Sequence, residues 1–329
     1  MHHPLERRLP WLGALMLLAL GALLLSLLAG SVTIAPGRLW TLLWHPDGSP
    51  HAQIVHQLRL PRTLSAFGVG AVLALAGALM QVLLRNPLAD PYVLGVSGAA
   101  ASGVLGAMLL GWPLAWQAPA AFGGALTGIL LLFVLGHRGR WEPTRLLLTG
   151  VVLAAGWSAL IGFILSLSPP VRLPGMLFWL MGDLSDAHRP ALPLTLLAAG
   201  LVVGLLLAPR LNLAIRGDLR AQALGIDLGR LRWQIYLLAS LLTAAAVTLA
   251  GAVGFVGLVA PHGARLLLGS DHRLLLPGAA LAGGALLTLA DTAARTLVAP
   301  MQLPVGVLTA LFGVPLFLYL LGHRPGEAR

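Results

Sequence analysis

From Thr63 to Leu84 the chain carries no charged residue, while Arg59, Arg62 and Arg85 flank the run on either side. About 20 apolar residues at 1.5 Å rise span the hydrocarbon of a bilayer, so this run is long enough to cross as a helix. Its Gly68, Gly70, Ala74, Gly77 and Ala78 are small side chains that let neighbouring helices approach closely. The run ends at Arg85-Asn86-Pro87-Leu88-Ala89-Asp90-Pro91. Two prolines in that break forbid one continuous helix into the next apolar run, so the chain must turn there.

Runs of this kind recur along the chain. Spans are expected at 11–30, 63–84, 92–111, 115–136, 144–168, 190–208, 233–253, 257–269, 275–296 and 305–321, about ten in all, although 257–269 is too short to cross unaided. Hydrophobic residues make up 58% of the chain and charged residues 10%, and the mean hydropathy is +0.88. These values lie outside the range of soluble domains and point to an all-α, multispan membrane protein forming a single domain over 1–329. The arginine-then-apolar start resembles a secretory signal peptide. It lacks a convincing A-x-A cleavage site, so a retained first span is expected. Residues 31–58 read as a connecting stretch with interfacial Trp40 and Trp44. Residues 169–189 read as an outer re-entrant or interfacial segment containing Pro169, Pro170, Pro174, Trp179, Asp183 and Asp186.

The net charge is +10, and every one of the 21 basic residues is arginine. These arginines sit in short breaks between apolar runs, which is the positive-inside pattern rather than a nucleic-acid footprint. With a cytoplasmic N-terminus, the inner segments (the N-terminal tail, 85–90, 137–145, 209–232, 265–273 and the C-terminal tail) collect +8 of that charge. An even number of spans returns the C-terminus to the same side. The absence of lysine excludes a P-loop, whose G-x-x-x-x-G-K-[ST] motif needs a lysine to reach the nucleotide phosphates. Any ATP-driven step must therefore belong to another subunit. The absence of cysteine excludes disulfides and thiolate-ligated metals or clusters. An internal echo is present: Leu75-Ala76-Gly77-Ala78 matches Leu249-Ala250-Gly251-Ala252, and Asn86-Pro87 matches Ala260-Pro261. Five spans separate these copies, so the two halves are expected to lie inverted in the membrane, as in many transporters.

Four linked pieces, RLPR at 59–62, GALMQ at 77–81, RNPLADP at 85–91 and LGVSGA at 94–99, resemble the FecCD-type permeases. Those proteins are the membrane subunits of ATP-driven importers for iron-siderophores, haem and cobalamin. The later stretch from Gly251 to Gly284 and the ending LPVGVLTALFGVPLFLYLL carry the resemblance as fully. The resemblance implies the type II ABC importer permease fold, no cofactor and no chemistry of the chain's own. It also implies a homodimer with two ATPase subunits beneath it and one periplasmic binding protein above, set in the bacterial inner membrane with both termini cytoplasmic. Arg59, Arg62 and Arg295 match positions that receive glutamates of the binding protein. Segment 209–232 matches the coupling loop, with Arg220, Ala221, Ala223, Leu224 and Gly225 at its contact core. Asn86, Pro87 and Leu88, with Pro143 and Thr144, match the cytoplasmic gate, although Pro143 departs from the small hydroxyl residue of that pattern.

Other readings of these residues are plainer. Arg59 and Arg62 are at i,i+3 and so share a helix face, where interfacial snorkelling alone would explain them. Asp291 lies four residues before Arg295 and is expected to pair with it. His262 reads as a capping or interfacial residue in a loop. Ser97 lacks the strand–turn–helix context of a nucleophile elbow, and His2 and His3 are too few for a metal site. The alternative function is a secondary transporter driven by an ion gradient. It needs a membrane-embedded carboxylate, and Asp291 is the one candidate.

Overall fold

A computed structural model describes residues 8–30, 32–136, 142–185, 187 and 189–322; Asp186, His2 and His3 fall outside them. The described residues form helices and connecting turns. The helices are α1 (Leu9–Leu28), α2 (Pro36–Trp44), α3 (Pro50–Leu83), α4 (Val96–Leu109), α5 (Leu114–Gly136), α6 (Pro143–Leu167), α7 (Leu173–Leu180), α8 (Ala191–Ala214), α9 (Asp218–Ala223), α10 (Leu228–Ala250), α11 (Val256–Leu268), α12 (His272–Thr296) and α13 (Val305–Gly322). Seven of them, α1, α3, α5, α6, α8, α10 and α12, are long and apolar enough to cross a membrane. The shorter apolar helices α4, α11 and α13 occupy the other three positions where spans were expected.

α3 is the axis of the molecule. Its apolar stretch is 94% buried, against 11% for α6, and α8, α10, α11 and α12 pack around it. The small residues explain how so many helices reach one. A Cβ on Gly77 would stand 1.8 Å from the Gly257 carbonyl oxygen of α11, and one on Gly70 would stand 2.3 Å from the Gly283 carbonyl oxygen of α12. A Cβ on Gly68 would stand 2.9 Å from Pro193 Cβ at the start of α8. Without side chains at these points the backbones touch directly, and dispersion contacts substitute for the hydrophobic drive that lipid does not supply. α3 also begins earlier than the apolar run. A widened turn at Ile54–Arg59 precedes Pro61, whose missing N–H and ring are what a helix interior ordinarily rejects, and the helix continues through it.

α4 and α11 are short because each starts inside the protein. α4 is entered through Gly95 (φ +75°) and α11 through Phe255 (φ +67°), both left-handed. The two entrances are joined: Tyr92 Oη accepts from Val253 N–H (2.9 Å), and the Asp90 carboxylate accepts from Tyr92 N–H (2.8 Å). Irregular backbone away from water must be satisfied by protein, and these side chains do so. The two entrances thus share a left-handed residue before the helix and are joined to each other. The echo at 75–78 and 249–252 shares no such setting: Leu75–Ala78 lie mid-helix, whereas Gly251 ends α10. Asn86-Pro87 lie in a turn, whereas Ala260-Pro261 lie inside α11. A Gly/Ala/Leu-rich chain repeats such strings without structural equivalence.

Helix ends reveal what several arginines do. Arg59 donates to the carbonyls of Leu27 (2.8 Å) and Leu28 (3.0 Å) at the end of α1 and to that of Val32 just beyond it. Arg172 donates to Met108 (2.9 Å) and Leu109 (2.8 Å) at the end of α4, and Arg8 to Leu268 (2.8 Å) at the end of α11. The last carbonyls of a helix have no partner within it and carry partial negative charge, so a guanidinium is a favourable cap.

Candidate functional site

The predicted site residues on and beside α3 form two groups, one toward each end of the helix. At its first turns, Arg59, Arg62 and Arg295 line one cavity of about 380 Å³, together with Gly30, Ser185 and Gln302. Asp291 is wholly buried beside it. Its carboxylate accepts from Arg62 Nη2 (2.8 Å) and Nε (3.0 Å) and is ion-paired with Arg295 Nε (3.2 Å). Arg62 Nη1 reaches Gln302 Oε1 (2.9 Å), and Arg295 Nη2 reaches Ser26 Oγ (2.8 Å), which in turn bonds Thr63 Oγ1 (2.7 Å). The expected pairing of Asp291 with Arg295 is present, and Arg62 joins it across 229 residues of chain.

The expectation of exposed guanidiniums on a shared helix face needs correction. Arg59 is 5% exposed, because its head group caps α1, while Arg62 turns toward α12. Three arginines against one carboxylate still leave the cavity with excess positive charge. A carboxylate entering it would meet guanidiniums already oriented by Asp291, Ser26 and Gln302, and charge-assisted bonds to such groups are the strong ones. Segment 169–189 lines a neighbouring cavity of about 430 Å³ through Trp179, Asp183 and Arg189.

At the other end, α3 stops in a Schellman turn: Asn86 N–H bonds the Gln81 carbonyl (3.2 Å) and Arg85 N–H the Val82 carbonyl (3.2 Å). The residue after such a helix end adopts the left-handed conformation and is usually glycine. Here it is Arg85, at φ +49°, which costs about 1 kcal/mol. Asn86 then closes the turn, its Oδ1 accepting from Leu88 N–H (2.9 Å), and Leu88 is 40% exposed. The other predicted gate residues, Pro143 and Thr144, open α6. Among the described residues no hydrogen bond joins Asn86–Leu88 to Thr144.

The charged stretch 209–232 is less of a loop than expected. α8 continues through Pro209 to Ala214, and α10 starts at Leu228. Between them sits α9, ended by Gly225 at φ +79°. Leu219 and Leu224 project at 84% and 64% exposure, and Arg220, Ala223 and Gly225 are exposed with them. Ala221 is buried against the protein, so it supports the surface instead of forming it. Sequence reasoning passed over the Asp218 carboxylate, which pairs with Arg85 and with Arg232 (2.9 Å). The available signal was one acidic residue at the start of a short helix in a basic segment.

Ser97 lies in the first turn of α4 and has no strand before it. His262 lies within α11, not in a loop, and its ring meets Phe317 edge-on at 6.0 Å.

The model of the FecCD transport family matches residues 17–323. The chain is 40% identical over 320 residues to the hemin transport system permease protein HmuU of Yersinia pestis, covering 93% of this chain and 92% of that one. It is 42% identical over 326 residues to the vitamin B12 import system permease protein BtuC of Escherichia coli, covering 96% of each. Among solved structures, a metal-chelate type ABC transporter in an inward-facing conformation superimposes with a TM-score of 0.81 at 32% identity, over 95% of this chain and 98% of that one. A match running almost end to end, on a bundle whose one central helix carries arginines toward one end and the Asn86–Leu88 turn at the other, leaves no large part of the fold unaccounted for, and the chain belongs to the FecCD transport family.

Proposed function

We propose that this chain is the membrane-spanning permease subunit of an ATP-binding-cassette importer that takes a bulky metal chelate from the periplasm to the cytoplasm. The chelate class is haem, cobalamin or an iron-siderophore. The observation that carries this reading is the full-length likeness to permeases named for hemin and vitamin B12. The chain is one domain in the bacterial inner membrane with both termini cytoplasmic, and it works as a homodimer. The slightly buried α6, whose Gly156 and Gly162 face open space, supplies an unpartnered face for a second copy.

A lysine-free chain has no P-loop, so two separate ATPase subunits supply the energy. They rest against Arg220, Ala223, Leu224 and Gly225, with Ala221 as the buried support. A periplasmic binding protein docks by placing acidic side chains at the Arg62 and Arg295 cavity, while Arg59 holds its wall and adds charge. Asn86, Pro87 and Leu88, with Pro143 and Thr144, form the cytoplasmic gate. Alternating access follows: nucleotide binding closes the ATPase pair, the force enters through α9, and the gate changes state.

An ion-driven mechanism has little to work with, because Asp291 is held by two guanidiniums and cannot serve as a free cation carrier. The test is uptake into proteoliposomes holding the chain with its co-expressed ATPase, with haem or cyanocobalamin presented on the binding protein. Uptake that requires ATP supports the proposal, and uptake driven by a proton or sodium gradient alone refutes it.

A further inference from the structure

We propose that Asp218, bridging Arg85 and Arg232, is the mechanical link that carries movement of α9 to the turn at Asn86–Leu88. This rests on the importer reading above. It adds a positioning residue, and two partners for it, to the transport step.

Three elements converge on this one carboxylate. Asp218 is the first residue of α9, Arg232 stands in the opening turns of α10, and Arg85 is the residue immediately before Asn86. Asp218 Oδ1 accepts from both arginines, and Oδ2 from Arg232 Nη2 (2.9 Å). On its outward side α9 offers Leu219 and Leu224 to whatever presses on it from the cytoplasm. On its inward side Ala221 is fully buried, which gives the helix a pivot. A push on Leu219 and Leu224 therefore displaces the Asp218 carboxylate, and with it the guanidinium of Arg85.

The backbone at Arg85 makes the coincidence informative. Glycine would satisfy the left-handed end of α3 without strain, yet an arginine is held there at φ +49°. Nothing in the Schellman turn itself uses its side chain, because both turn bonds are made by backbone groups. What the side chain does is reach Asp218. The chain thus tolerates local strain at the residue that joins the helix end to the coupling helix, and strained residues concentrate where a segment switches. Arg232 tethers the same carboxylate to α10, so when α9 moves the carboxylate swings about that attachment and Arg85 follows it.

The test uses the complete complex in proteoliposomes, measuring haem or cyanocobalamin moved per ATP hydrolysed. Arg85→Gly removes the bridge while installing the residue the turn prefers, so its unfolding midpoint is expected to equal or exceed that of the wild type. Its transport per ATP is expected to fall about fivefold, the factor that corresponds to losing about 1 kcal/mol of coupling. Asp218→Asn is expected to do the same, with ATP hydrolysis continuing, and Arg85→Lys to stay near the wild-type ratio. An Arg85→Gly complex that transports at the wild-type ratio overturns the link. A wild-type complex that shows no ATP-dependent uptake of haem, cyanocobalamin or a ferric siderophore overturns the importer reading instead.

Discussion

Removing the charge of Asp291 is the most direct structural perturbation of the outer cavity. Asp291 is completely buried between Arg62 and Arg295, whose side chains are only 12% and 10% exposed. Asp291→Asn keeps the shape and leaves two guanidiniums without a counter-charge. Stripping a buried charge of its partner costs about 3–5 kcal/mol. Gln302 still engages Arg62 and Ser26 still engages Arg295, and both arginines border a cavity that water can enter. The expected loss therefore lies at the lower end, about 3 kcal/mol. Denaturation in mixed micelles by rising SDS, followed through tryptophan fluorescence, measures it. The triple variant Arg62→Met, Asp291→Leu, Arg295→Met removes every charge of the cluster. It is expected to be less destabilised than Asp291→Asn, because a well-packed apolar set often replaces a buried ionic one at no net loss. An Asp291→Asn protein within about 0.5 kcal/mol of wild type, the range of an ordinary surface change, would refute the assignment of Asp291 as the neutralising partner.

Gly77→Ala is expected to cost about 3 kcal/mol and to lower the yield of folded protein, because its Cβ would sit 1.8 Å from the Gly257 carbonyl oxygen and must push α11 off α3; the same SDS titration reads it. For Asp271, which caps α12 beyond the membrane-spanning segment, burial alone would raise the carboxyl. The Arg273 backbone N–H and the Asn212 amide outweigh that and hold it below the ordinary 3.8. Its stabilising contribution is thus complete above 3.8 and lost as the pH falls through its lower folded value. Stability measured across the acid range is expected to show that slope in the wild type and to lack it in Asp271→Asn.

Much of the fold was legible because a bilayer allows so few solutions. An uncharged run of span length becomes a helix, and Gly68, Gly70 and Gly77 in the Thr63–Leu84 run announced close approach, which α8, α12 and α11 make. What lay beyond reach is long-range. Arg59, Arg172 and Arg8 read as interfacial or positive-inside residues, since no local pattern says that each caps a helix 31 to 260 residues away. Arg62 and Asp291 meet across 229 residues, and Arg85 and Asp218 across 133. The wide turn before Pro61 was hidden as well, because a proline normally marks where a helix begins. The shared left-handed entry at Gly95 and Phe255 is one of backbone conformation and leaves almost no trace in residue identity.

The central claim is that this polypeptide is a conduit whose motor and cargo receptor are other molecules. The measurement that tests it is accumulation of haem or cyanocobalamin in proteoliposomes containing the chain alone, with the ATPase, and with both the ATPase and the binding protein, with ATP hydrolysis recorded in parallel. Concentrative uptake only in the full assembly, and no nucleotide consumption by the chain alone, is the predicted result. Hydrolysis of ATP by the isolated chain, or uptake driven by an ion gradient in its partners' absence, would contradict it.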